Sequence, residues 1–156
     1  MLKKILLLVF IMVAFISLTG CTKKINQNDN IKRIYLSDKY YNKGEFIEVK
    51  NNDLKKLEND TYILFTYNNY CTLPIPCENI FKEFMKTYQI DFLSIPFSEF
   101  KESDFYESVK YAPSILIIQN NKIIAYLDAN SDSDLAKYQD VLEFSKWLDK
   151  YVYFKQ

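Results

Sequence analysis

The chain has 156 residues, with 20 basic and 20 acidic side chains, one arginine (Arg33), no histidine and two glycines. That length implies one domain, and an apolar share of 49 % is ample for a core. Balanced charge leaves no footprint for nucleic acid. Without histidine there is no Ser-His-Asp triad, Cys-His pair or His-ligated metal, and with only Gly20 and Gly44 no glycine-rich phosphate loop, so nucleotide-dependent enzymes are poor candidates.

Residues 1–20 read as an address. Lys3 and Lys4, an apolar run from Ile5 to Ile16 and a close in small residues are the three regions of a secretory signal. The run is shorter than the ~20 residues of a spanning helix. Its end, Leu18-Thr19-Gly20-Cys21, resembles a bacterial lipobox, which implies cleavage before Cys21 and acyl chains on that residue. Several acyl chains anchor stably where one is marginal; the alternative is an ordinary signal peptide with a chance cysteine at its end. Residues 21–44 are expected to be a lipidated tether and N-terminal extension. "TKKINQNDN" is polar and aperiodic, and "IKRIYLSDKYY" is aromatic and weakly strand-like. The expected location is the outer face of the cell membrane. Of three cysteines, setting Cys21 aside as lipid carrier leaves one pair, Cys71 and Cys77, which outside the cytoplasm can hold a lasting disulfide.

Residues 45–156 are expected to form the domain. After Gly44, "EFIEV" alternates as a short strand. "NNDLKKLEND" starts with Asn51 or Asn52 as N-cap and carries Leu54 and Leu57 at helical spacing. "TYILFTY" (61–67), β-branched and aromatic with both faces apolar, predicts a buried central strand. After the cysteine loop, "ENIFKEFMKTY" puts Ile80, Phe81, Phe84, Met85 and Tyr88 on one helical face. "IDFLSIP" is a further strand. Within "FKESDFYESVKY", Ser103 and Asp104 are caps for a short helix after them. "PSILIIQ" and "KIIAYLD" are strands joined at Asn120-Asn121, a tight turn because Asn tolerates positive φ. From Asp134 to Tyr153, Leu135, Tyr138, Val141, Leu142, Ser145, Leu148 and Val152 recur at three or four, predicting one amphipathic closing helix. The order is β-α-β-α-β-α-β-β-α: an α/β fold with a central mixed sheet flanked by helices, parallel early and closed by an antiparallel hairpin.

Over residues 45–153 this sequence resembles the thioredoxin-like superfamily. Pro76-Cys77, after the central strand and opening a helix, is similar to the end of that family's CxxC motif. Tyr111-Ala112-Pro113-Ser114, leading into a strand and the "QNNKII" hairpin, resembles its cis-proline loop and "F-x-N-G-K" turn. The resemblance implies that Pro113, with Ala112 and Tyr70, shapes a groove for an extended substrate chain beside the cysteines. Three departures weigh against efficient disulfide reduction: the spacing is CxxxxxC, Tyr70 replaces the usual tryptophan, and the buried acid of the preceding strand is apolar here, assigned to Leu64.

Cys71 and Cys77 cannot be bridged on one helix, since six residues at 1.5 Å separate them by ~9 Å against a limit near 7 Å. Pro74 and Pro76 forbid a helix through the loop anyway. Cys77 is therefore expected in the first turn, with Pro76 near the first helical position, and Cys71 at the strand end. A helix N-terminus favours a thiolate, while Glu78 opposes one. On exposure and on the family's pattern, Cys71 is assigned as nucleophile and Cys77 as resolving cysteine. The inert reading stays open: a disulfide closing this small ring contributes ~2 kcal/mol as a staple. Two thiolates alone make a poor zinc site, so neither metal nor cofactor is expected. A peroxidase is rejected, because Asn68 stands where its threonine would be and Arg33 is the one arginine. The acidic "DANSDSD" (128–134) lacks the glycine and final glutamate of a calcium loop and reads as a turn and cap. Most tyrosines and phenylalanines read as packing, with Tyr67, Tyr70 and Tyr111 flanking the two loops of interest. The expected partners are protein thiols or disulfides, or, for an inert staple, a protein bound by a non-enzymatic lipoprotein of an envelope or bacteriocin-export complex.

Overall fold

The structure, a computed structural model, describes residues 32–68, 74–128 and 130–155. The signal, the lipobox with Cys21, and residues Tyr70 and Cys71 lie outside the described residues. Among the described residues no helix is long and apolar enough to cross a membrane.

Five strands form one sheet in the order β1-β3-β2-β4-β5: β1 (Phe46–Glu48), β2 (Thr61–Tyr67), β3 (Phe92–Pro96), β4 (Ser114–Gln119) and β5 (Lys122–Leu127). β3 runs parallel to both β1 and β2, whereas β2–β4 and β4–β5 are antiparallel. The helices are α1 (Asn51–Leu54, continuing as a 3-10 turn over Lys55–Leu57), α2 (Cys77–Tyr88), α3 (Phe97–Phe100), α4 (Leu135–Gln139) and α5 (Val141–Leu148). The expected order of elements holds. β2 and β4 are buried along both faces, as their unbroken apolar runs required. Asn120 and Asn121 take φ of 49° and 58°, which fits the two-residue hairpin of mirror-image turn type.

Three local expectations are corrected. The helix near Ser103 comes before it, at Phe97–Phe100 with Pro96 at its N-cap; Ser103 instead closes that turn, donating its hydroxyl to the Phe100 carbonyl at 2.7 Å. The single closing helix is two. Asp140 takes extended backbone angles and its carboxylate accepts from the Leu142 and Glu143 amides, capping α5. A side chain that bonds the backbone this way competes with helix continuation. The break shifts the buried face to Phe144, Trp147 and Leu148, leaving Leu135 and Leu142 exposed. In α1, Asn51 is not the cap but the first helical residue, with its side-chain amide donating to the Glu102 carbonyl.

On the expected α2 face Ile80, Phe81, Phe84 and Met85 are buried, joined by Cys77, while Tyr88 is half-buried. Phe84 and Phe144 meet edge to face at 5.0 Å, and Phe81 meets Phe65 at 5.3 Å, a geometry that adds to the area buried. Residues 32–44 are also part of this packing. Ile34 bridges Val152, Leu36 and Tyr40 are buried, and Tyr41 bridges Ile90. The buried Asp91 then gathers the incoming chain. One carboxylate oxygen accepts from the amides of Lys43, Gly44 and Glu45 at 3.2, 2.8 and 2.9 Å, and the other accepts from the Asn42 side chain.

Candidate functional site

Two loops meet where β2 ends and α2 begins. Pro76 is the N-cap of α2 and Cys77 its first helical residue, in line with the expected Pro76 near the first helical position and Cys77 in the first turn. Proline suits this place because a helix start leaves amides without intrahelical partners and proline has none to lose. The Cys77 side chain is only 3 % exposed, whereas Pro74, Ile75 and Pro76 are exposed. Opposite lies the chain leading into β4, where the Ala112–Pro113 peptide is cis. Cys77 and Pro113, far apart in sequence, line one cavity of about 270 Å³ together with Phe65, Tyr67, Asn68 and Glu78.

The strand residue facing this cavity is Phe65, not Leu64. Side chains alternate along a strand, so Phe65 and Tyr67 share the α2 face and Leu64 points the other way. The apolar character expected there holds, one position along.

Side chains that the sequence did not single out fix the two loops. The Tyr138 hydroxyl lies 2.8 Å from the Leu127 carbonyl and 3.0 Å from that of Pro113, and donates toward both. Burial pushes its ionisation well above the ordinary tyrosine value, and a negative charge on Cys77 would push the same way. Tyr138 thus stands within electrostatic reach of that sulfur. Asn68 donates its side-chain amide to the Ala112 carbonyl at 3.1 Å. Gln139, the last residue of α4, brackets Ile75: its amide donates to the Ile75 carbonyl at 2.8 Å, and its oxygen faces the Ile75 amide at 3.4 Å. The proline loop is therefore held from the helical side. In sequence Tyr138 reads as one more apolar helix position and Gln139 is not singled out, because their partners are remote.

A second cavity of about 270 Å³ adjoins the first and is lined by Phe46, Glu48, Phe65, Tyr67, Glu78 and Ser94. The Tyr67 ionisation is raised, first by burial and then by Glu48 and Glu78. A larger cleft, about 720 Å³, lies elsewhere, between Arg33, Tyr41, Tyr88, Asp149 and Lys155. It is at the far end of α2, some ~18 Å along a twelve-residue helix from Cys77. There Arg33 pairs with Asp149 and Lys155 pairs with Asp38 at 2.6 Å.

No protein-family model matches the chain, and no curated protein matches it. Among solved structures, thioredoxin of Schistosoma mansoni superposes with a TM-score of 0.50 at 19 % identity, over 70 % of this chain and 98 % of that one. Oxidised thioredoxin from Plasmodium falciparum gives 0.45 at 20 % identity, over 68 % and 95 %. Thioredoxin F from spinach chloroplast gives 0.44 at 18 %, over 69 % and 97 %. On the first of these likenesses, the chain has the thioredoxin fold. At such identity the likeness speaks for the fold and not for the chemistry.

Proposed function

We propose that this chain is a membrane-anchored, extracytoplasmic thioredoxin-fold protein that carries out thiol–disulfide exchange through Cys71 and Cys77. The observation carrying this reading is the shared cavity of Cys77 and Pro113 at the N-terminus of α2. There the helix dipole favours a thiolate. The Cys71 thiolate attacks one sulfur of a partner disulfide, forming a mixed disulfide and releasing the other partner sulfur as thiolate. Cys77 then attacks the Cys71 sulfur, releasing the second partner thiolate and leaving a Cys71–Cys77 disulfide. Two electrons pass to the partner, and the reverse sequence oxidises a partner dithiol. Tyr138 and Asn68 hold the Pro113 and Ala112 carbonyls and so position the wall against which a partner chain would lie. The leader and lipobox support anchoring through acyl chains on Cys21, with the domain outside the cell.

A second reading has its own support. The almost complete burial of Cys77 and the apolar Phe65 in the cavity, where a proton-moving acid would assist exchange, fit a structural disulfide in a lipoprotein that binds a protein partner. The deciding experiment equilibrates the full-length chain in detergent with glutathione or dithiothreitol and traps its thiols by alkylation. A potential between roughly −120 and −270 mV, with exchange abolished by Cys71→Ser, supports an oxidoreductase. A value well below about −300 mV, or a pair reduced only on unfolding, makes it a staple.

A further inference from the structure

The two cavities beside α2 share Phe65, Tyr67 and Glu78 and so form one groove, running from Cys77 and Pro113 across β2 to β1. Its floor is aromatic. The ring centres of Phe46 and Phe65 are 5.3 Å apart, and those of Phe65 and Tyr67 are 5.8 Å apart, the latter pair stacked at 28°. Its ionisable rim is acidic. Glu48 stands at the β1 end and Glu78 in the first turn of α2, with the Ser94 hydroxyl between the strands, and among the described residues no lysine or arginine lines either cavity. Lys82 pairs with Glu78 at 2.5 Å from the next turn of the helix without lining the groove. The raised ionisation of Tyr67, in which both carboxylates share, places its hydroxyl in the field of the two.

Aromatic faces carry negative potential and attract cations, more strongly where water is displaced. A carboxylate on each side of such a floor adds acceptors for the N–H groups of an ammonium or guanidinium. At about 270 Å³, the outer chamber is below the size usual for small-molecule sites, ~300–1,000 Å³, and suits one long side chain. We infer that this groove receives a lysine or arginine side chain of the partner polypeptide, carried on an extended segment next to the cysteine presented to Cys71. The inference rests on the exchange reading for the identity of the partner, but the groove's preference for a cation is separable from redox chemistry.

The test uses two fluorescein-labelled nonapeptides without cysteine, identical except for a central lysine or norleucine. Their affinity for the full-length chain in zwitterionic detergent is measured at low salt. The lysine peptide is expected to bind about fivefold more tightly. Glu48→Gln, an exposed position that leaves the fold intact, should remove that preference, and 0.5 M salt, where the Debye length is only a few ångström, should shrink it. Equal affinities, no binding of either peptide, or a preference untouched by Glu48→Gln overturns the inference. The same pair of sequences, each bearing a mixed disulfide, then reports exchange. A lysine preference in binding with no exchange from either peptide sinks the oxidoreductase and leaves the groove standing. Exchange at equal rates, with equal binding, does the reverse.

Discussion

Gly44 is where the chain entering β1 touches the far end of α2, and replacing it with alanine tests the packing that orients that helix. Its φ is +75°, a region where a side chain costs about 1 kcal/mol or more relative to glycine. A Cβ would also stand 2.4 Å from the Met85 carbonyl oxygen, 2.6 Å from its carbon and 2.8 Å from the Lys86 nitrogen. These are backbone atoms with no rotamer to change. The Met85 carbonyl already accepts from the amides of Gln89 and Ile90, closing the helix, so displacing it strains that cap. On the other side, the Gly44 amide is held at 2.8 Å by the buried Asp91. Relief of the overlap costs about 1–3 kcal/mol, and a weakened cap bond costs about another 1 kcal/mol. The sum for Gly44→Ala is about 3–5 kcal/mol, a large part of the stability of an ordinary domain. Urea unfolding followed by circular dichroism measures it, with an unchanged slope confirming that the native state is what changed. A loss below about 1 kcal/mol would refute the close approach.

Alkaline pH should unfold the protein early. Burial raises the ionisation of Tyr62 and of Tyr138, so above the unfolded value of about 10 the unfolded chain loses protons that the fold retains. Stability then falls by about 1.4 kcal/mol per pH unit for each such tyrosine. Thermal melts from pH 9 to 11.5 check the slope. Tyr62→Phe removes a buried hydroxyl without a hydrogen-bond partner among the described residues; it should cost little at pH 7 and flatten the alkaline decline. Gln139→Ala should change global stability by no more than about 1.5 kcal/mol, yet speed hydrogen exchange at the Ile75 amide, which Gln139 faces. Unchanged exchange would show that the bracket does not hold the loop.

The element order was legible because β2 and β4 are short unbroken apolar runs and α2 a clear helical period, and because Asn120-Asn121 marks one turn type. The misses share a different cause. Where Asp140 breaks the closing helix, the apolar period runs on through Val141 and Leu142, and one carboxylate bonding two amides outweighs it. Ser103 and Asp104 offered cap chemistry, but Pro96 sets the start of α3, and proline fixes φ more strongly than a hydroxyl attracts an amide. At the site, Cys77 and Pro113 could be read because each stands in a local motif. Tyr138, Gln139 and Glu48 could not, since what they do depends on the sheet bringing remote residues beside them.

The burial of Cys77 bears directly on which sulfur reacts. Cys77 is only 3 % exposed, which restricts the approach of an outside disulfide, and exchange requires the sulfurs to meet. On the exchange reading Cys77 then acts on a sulfur delivered within the same chain, and of the two other cysteines Cys71 is the nearer in sequence. On the proposed exchange reading, this burial favours the resolving role for Cys77. The Cys21→Ser/Cys71→Ser variant isolates the point by leaving Cys77 as the only thiol. Its reaction with a bulky aromatic disulfide reagent should be roughly a hundredfold slower in the native state than in denaturant, paced by local opening of the first turn of α2. A native rate within a few-fold of the unfolded one would mean that outside reagents reach the sulfur directly. Cys77 could then serve as attacking nucleophile, and the roles of the pair would have to be reversed.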